Sequence, residues 1–189
     1  FDASELRKFI LSTQAEKWAR LESLNASKEV AWRKFIDRLS NEIGSRGLVD
    51  VLRKGVKDNG VQINLAYFAP ANGLSPDLRS LYEQNRLTVT RQVRMSELNP
   101  LDSIDLVLFL NGIPLATVEL KSQTAGQSAQ HAINQYRRDR DPKDLLFRDR
   151  ALVHFALDED EVFLSTRLLR SSTEFRPFNL GTNGPGNEG

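Results

Sequence analysis

Three residues carry the chemistry most readily read from this chain: Asp105, Glu119 and Lys121. Asp105 opens the apolar run Ile104 to Leu110, and Glu119 lies inside the apolar run Ile113 to Lys121. Charges in such runs are costly unless they are paired or bound to metal. Residues two apart on a strand share a face, so Glu119 and Lys121 point the same way. Two carboxylates brought together repel, and a hard divalent cation such as Mg²⁺ relieves that cost through oxygen ligands. The Leu120 carbonyl, between them in sequence, is a further candidate ligand. Such an ion activates water and stabilises charge on a phosphodiester, and Lys121 beside it holds the hydroxide or the developing negative charge. The same residues also fit a second reading, a buried ion pair of Glu119 with Lys121 or a nearby arginine.

The two runs meet at Asn111-Gly112, a hairpin signal. A strict two-residue loop pairs Leu110 with Ile113 and Asp105 with Val118, which sends Glu119 to the opposite face. Convergence needs one extra residue, so the sequence predicts a three-residue loop or a bulge at Gly112. Gly112 accepts positive φ, and Pro114 donates no ladder bond.

The surrounding elements follow from hydrophobic period. Residues 1–55 read as helical, with stripes at Leu6, Phe9 and Ile10, at Trp18, Leu21 and Leu24, and from Val30 to Ile43. Ser27 starts the last of these helices, and Gly44 and Gly47 stop it. Strands are expected at Val61–Phe68, Leu87–Val93, Ala151–Leu157 and Glu161–Thr166, besides the hairpin. Pro70, Asn72-Gly73 and Pro76 mark a loop, and short helices are expected at Asp77–Gln84 and Gly126–Arg138. The expected fold class is α/β, a central mixed β-sheet flanked by helices. Residues 1–177 read as one domain, with a helical section 1–55 and a sheet core 56–177, and the Gly- and Asn-rich 178–189 reads as a linker.

Composition narrows the function classes. The 189 residues carry 26 Lys+Arg against 25 Asp+Glu, a net charge of +1 that excludes a uniformly basic nucleic-acid binder. There is no Cys, and His131 and His154 are the two histidines, which excludes disulfides, thiolate sites and a multi-His zinc site. No apolar run approaches a membrane span, and no phosphate-binding loop of the G-x-x-x-x-G-K-[ST] type occurs. Arg137, Arg138, Arg140, Lys143, Arg148 and Arg150 are interleaved with Asp139, Asp141, Asp144 and Asp149, which leaves about +2 formally. Most of these read as solvated ion pairs worth little each, with Arg137 and Arg138 as candidates for DNA phosphates. Gln92 is a candidate neighbour of the site. His131 shares a helix face with Gln135, and His154 reads as a buried strand residue.

An Asp and an E-x-K on a hairpin that precedes a helix resemble the PD-(D/E)xK nuclease superfamily. More narrowly, SIDLVLFLNGIPLATVELK (103–121) is similar to the N-terminal nuclease domain of the R subunit of type I restriction enzymes. RLTVTRQV (86–93), AINQYRRDRDP (132–142), RALVHFALDEDEVFLSTRL (150–168) and GLVDVLRKGVKDNGVQINLAYF (47–68) extend the resemblance over most of the chain. It implies a restriction-endonuclease-like core in which Asp105 and Glu119 bind the metal and Lys121 is catalytic. Gln135 matches the Gln of the family's Gln-x-x-x-Tyr motif, implicated in DNA contact. Asp139 stands where the Tyr is expected, and Tyr136 is displaced to follow Gln135.

The resemblance implies a Mg²⁺-dependent endonuclease for double-stranded DNA, with Mn²⁺ as a substitute cation. It also implies ATP use through a separate helicase motor, partnership with modification and specificity subunits, and a cytoplasmic location. The competing expectation is a catalytically silent DNA-binding or subunit-docking domain with the same fold.

Overall fold

A computed structural model describes residues 1–71, 75–94, 103–178, 180–181 and 184–185. Asn72-Gly73 and most of the expected linker 178–189 lie outside the described residues. The chain forms two compact units: Phe1–Thr88 with Leu110–Ile113, and Val89–Phe109 with Pro114–Gly189.

The first unit is mainly helical. Helix α1 (Ala3–Ser23) starts where the Asp2 side chain accepts a hydrogen bond from the Glu5 N–H at 3.1 Å. This satisfies one of the amides a helix start leaves open. The first two expected stripes form this single helix, which kinks at Gln14 (φ −149°, ψ 39°). There the Gln14 side-chain amide donates to the Asn64 carbonyl (2.9 Å) and accepts from the Asn64 N–H (2.7 Å), so a side chain imitates a strand partner. Helix α2 (Lys28–Arg46) is capped by Ser27, as the sequence signals, and ends at Gly47 with φ +81°. Trp18 is buried with its ring edge-on to Trp32 and Phe35, at centroid distances of 5.4 and 5.5 Å.

Helix α3 (Leu48–Lys54) follows. The expected strand Val61–Phe68 is shorter than its apolar pattern suggests. Strand β1 (Val56–Asp58) turns at Asn59-Gly60 to pair antiparallel with β2 (Val61–Ile63), apart from the main sheet. Leu65 is buried without joining a strand. Helix α4 (Pro76–Glu83) closes this stretch.

The second unit holds the six-stranded sheet, in the order β3 (Leu87–Arg94), β4 (Ser103–Leu110), β5 (Ile113–Leu120), β6 (Val153–Leu157), β7 (Val162–Ser165) and β8 (Arg176–Pro177). Helix α5 (Ala129–Arg138) makes the crossover from β5 to β6, which run parallel with Thr117 opposite His154 and Glu119 opposite Ala156. A parallel pair requires such a crossover. Strands β7 and β8 add antiparallel, so the sheet is mixed. The Asp158 carboxylate accepts from Asp160 and Glu161 N–H in the β6–β7 turn and from Ala129 N–H at the start of α5. One turn residue thereby ties the crossover helix to the sheet. The core beneath α5 gathers Ile104, Val107, Phe109, Ala132, Ile133, Tyr136, Phe147, Ala156 and Leu168. The α/β fold class is as expected, a six-stranded mixed sheet flanked by helices. Short pairs at Leu180–Gly181 and Gly184–Pro185 complete the described chain.

The hairpin turn differs from expectation. β4 ends at Leu110 and β5 begins at Ile113, so the loop is two residues. Asn111 (φ +53°) and Gly112 (φ +77°) both sit in the left-handed region, as a type I′ turn requires. The expected three-residue loop or Gly112 bulge is therefore wrong. Burial of the turn explains the tight form. Asn111 is fully buried, donating to the Leu65 carbonyl (2.8 Å) and accepting from the Arg86 N–H (2.7 Å). A Cβ on Gly112 would collide with the Asp2 carbonyl and the Leu6 amide. The slip of face occurs inside β4 instead. Ile104 and Val107 are three apart, hence on opposite faces of a regular strand, yet both are buried in one core cluster. β4 thus changes the side it presents across Asp105-Leu106.

Candidate active site

Glu119 sits on β5 with no exposed surface, and Arg140, 4% exposed, lies just beyond the end of α5. Arg140 donates from Nε (2.8 Å) and Nη2 (2.6 Å) to one oxygen, Glu119 Oε1, and Nη2 also donates to the Ser103 carbonyl (2.7 Å). Glu119 Oε2 is buried without a hydrogen-bond donor.

Asp105 lies beside it. Asp105 Oδ2 accepts from the Leu120 N–H at 2.8 Å, and Oδ1 accepts from Gln92 Nε2 at 3.0 Å. The two carboxyls are close enough for Asp105 to raise the Glu119 pKa. As carboxylates neither can donate, which accounts for the unpartnered Oε2. Burial is the largest influence on Glu119 and pushes its pKa up to about 8; Arg140 opposes the rise and Asp105 adds to it. A positive ion between the carboxyls, or a proton shared by them, would relieve the repulsion.

Backbone geometry adds a third oxygen. On a strand, the N–H and C=O of one residue point to the same neighbour. The Leu120 N–H meets Asp105, so its carbonyl faces the same side. Lys121 follows β5 directly, and its N–H extends the ladder to the Leu157 carbonyl (2.9 Å). Alternation therefore brings its half-buried side chain out on Glu119's side. The donor set is two carboxylates and a carbonyl, hard oxygens of the kind Mg²⁺ takes alongside water. An orphaned buried carboxylate oxygen fits such a group. Among the described residues, no three His, Asp or Glu side chains gather at one point.

The remaining candidates divide. Gln135 lies half-buried on α5, and its carbonyl accepts from Asp139 and Arg140 N–H at the helix end. Tyr136, displaced from the expected motif position, is fully buried; its hydroxyl meets Thr117 Oγ1 at 2.9 Å, and Thr117 also meets His154 Nδ1 at 2.8 Å. Burial lowers the His154 pKa to about 4. Half-buried Arg137 commits Nε and Nη2 to the Thr173 carbonyl at 3.1 and 2.8 Å, whereas Arg138 is exposed. His131 accepts from the Ser128 N–H (3.0 Å) and closes the start of α5. Gln92 does neighbour the site.

Arg140 is the nearby arginine that the ion-pair reading of Glu119 allows for, although its charged neighbours give no sign of which arginine it is. The signal for it was Glu119 itself, since a carboxylate inside an apolar strand needs a cation close by.

Among the described residues, no helix is long and apolar enough to cross a membrane. A search of curated proteins finds no match. One family model, type I restriction enzyme R protein N terminus, matches residues 9–184.

Proposed function

We propose, for a chain that belongs to the family of type I restriction enzyme R protein N termini, that it is the Mg²⁺-dependent endonuclease domain of such a subunit. The substrate is double-stranded DNA and the reaction is hydrolysis of its phosphodiester bonds. The observation that carries this reading is the buried, donor-free Oε2 of Glu119 beside Asp105.

In this reading Asp105, Glu119 and the Leu120 carbonyl hold the cation, with Mn²⁺ as a substitute. When bound, the cation polarises the scissile phosphate and makes water a better nucleophile. Lys121 places its ammonium on the Glu119 side of the strand, where it orients the attacking water and stabilises charge developing on the phosphate. Gln135, on the following helix, supports the DNA, and exposed Arg138 is better placed than Arg137 to meet a phosphate. The near-neutral charge of the chain agrees with DNA delivered by other parts of the assembly. Those parts are an ATP-driven translocating motor outside residues 1–189 and the modification and specificity subunits, in the cytoplasm. Residues 1–177 would act as one nuclease module and 178–189 as its link to the motor.

The test is cleavage of DNA by the assembled enzyme carrying Asp105→Ala or Lys121→Ala. The reading expects cleavage to be lost while DNA-stimulated ATP hydrolysis survives; undiminished cleavage in both variants overturns it. The buried Glu119–Arg140 pair favours a second reading, because it neutralises Glu119 without a metal. In that reading the domain is catalytically silent and binds DNA or docks a subunit.

A further inference from the structure

Each carboxylate of the proposed centre has its own donor from outside the E-x-K motif. Arg140 holds Glu119 by Oε1 through two nitrogens at 2.8 and 2.6 Å. Gln92 holds Asp105 by Oδ1 at 3.0 Å, and the far end of the same amide is fixed by Ser103 Oγ, which donates to Gln92 Oε1 at 2.8 Å. The backbone of Gln92 is unusual for a strand, with φ +50° in the middle of β3. A non-glycine residue in that region is strained and persists only where its surroundings impose it. Ser103 also ties the two arms together, since its carbonyl accepts from Arg140 Nη2 at 2.7 Å.

These bonds decide which oxygens remain available. Oε1 of Glu119 already receives two N–H groups, and Oδ1 of Asp105 receives one. Oε2 of Glu119 receives none, and Oδ2 of Asp105 receives the Leu120 N–H alone, which leaves it acceptor capacity. Glu119 therefore keeps one oxygen wholly open to a cation, and each Asp105 oxygen, with a single N–H, keeps acceptor capacity. A second cation would have to share Oε1 with a guanidinium.

We propose that Arg140 and Gln92 are the positioning residues of this site, Gln92 by orienting Asp105, and that Arg140, by holding Oε1 twice, leaves Glu119 one oxygen for a single divalent cation. The proposal rests on the metal reading above and adds its stoichiometry and the two residues that set it. Arg140 acts through Glu119 and Gln92 acts through Asp105. Partners of this kind typically affect metal affinity by about 10- to 100-fold.

The test is calorimetric titration of Mn²⁺ into the purified chain, as wild type, Asp105→Ala, Arg140→Lys and Gln92→Gly, with thermal unfolding of each metal-free protein alongside. Arg140→Lys keeps the charge and loses the fork that reaches Oε1 twice. Gln92→Gly removes the amide and relieves the positive φ, so its folded state is not penalised by strain. The expected result is one Mn²⁺ per wild-type chain, no binding to Asp105→Ala, and about tenfold weaker binding to Arg140→Lys and Gln92→Gly. Gln92→Gly should keep the wild-type Tm, which separates positioning from loss of fold. Should Arg140→Lys unfold, Gln92→Gly decides alone. Two Mn²⁺ per chain overturns the single-cation count, and wild-type affinity in the folded variants overturns the positioning roles. Absence of Mn²⁺ binding to wild type removes the metal reading itself, and this proposal with it.

Discussion

Arg140 and Glu119 form a fully buried ion pair in which two guanidinium nitrogens converge on one carboxylate oxygen. The pair joins the end of the crossover helix α5 to the middle of the sheet. It is therefore a structural bond whatever the site does, and its removal has a direction.

Arg140→Met leaves Glu119 buried without its cation. Where Glu119 is ionised, above about pH 8, breaking the buried pair from one side costs about 3–5 kcal/mol. Urea unfolding should show that loss, whereas Arg138→Met, at an exposed position, should fall within about 0.5 kcal/mol of wild type. Equal effects for the two would mean that the pair does not hold the fold.

The turn at Asn111-Gly112 gives a second stability prediction. Gly112→Ala adds a Cβ at φ +77°, against the backbone of Asp2 and Leu6. Strain of this kind costs roughly 1–3 kcal/mol before the collision is counted. Chemical denaturation should place the variant at least about 2 kcal/mol below wild type, and an unchanged midpoint would contradict the buried turn.

His154 governs the acid side. Its folded-state pKa, about 4, lies below the ordinary 6.5 because burial disfavours the charged ring. Unfolded chains therefore take up the proton first, and stability falls as pH drops from 6.5 through 4. At about 1.4 kcal/mol per unit, a depression of this size contributes on the order of 3 kcal/mol. Between pH 4.5 and 6.5 Glu119 acts in the opposite direction, so His154→Gln should make stability fall with rising pH there, relative to wild type; a slope equal to wild type would contradict it.

Glu119 has the opposite sign. Its folded-state pKa is raised from 4.5 to about 8, chiefly by burial. Its favourable contribution is present below pH 4.5 and is lost as pH rises through 8. Metal-free protein should lose stability between pH 6.5 and 8, and Glu119→Gln should remove that decline. A rise in wild-type stability across this window would contradict a Glu119 carboxyl whose pKa burial raises despite Arg140.

These outcomes also show how much was legible in the sequence. The hairpin, the crossover helix and the two strands after it were readable because apolar period and the Asn-Gly turn are local signals. Asp105 and Glu119, which the fold brings together, were readable as unusual because charges inside apolar runs stand out. The face change across Asp105-Leu106 was not readable, since it depends on how Ile104 and Val107 both reach one core. A nearby arginine for Glu119 was readable, but not that it is Arg140, whose neighbours 137, 138, 139 and 141 all look like a solvated helix end. Gln14 is a third case: its side chain completes a backbone pairing with Asn64, fifty residues away, and no local pattern announces that.

The central claim is a divalent cation held between Asp105 and Glu119. Anomalous diffraction from crystals soaked in Mn²⁺ tests it most directly. The account predicts one peak within coordination distance of Glu119 Oε2 and an Asp105 oxygen, with Arg140 still on Oε1. Saturating Mn²⁺ with no peak there, and Glu119 Oε2 still without a partner, would contradict it.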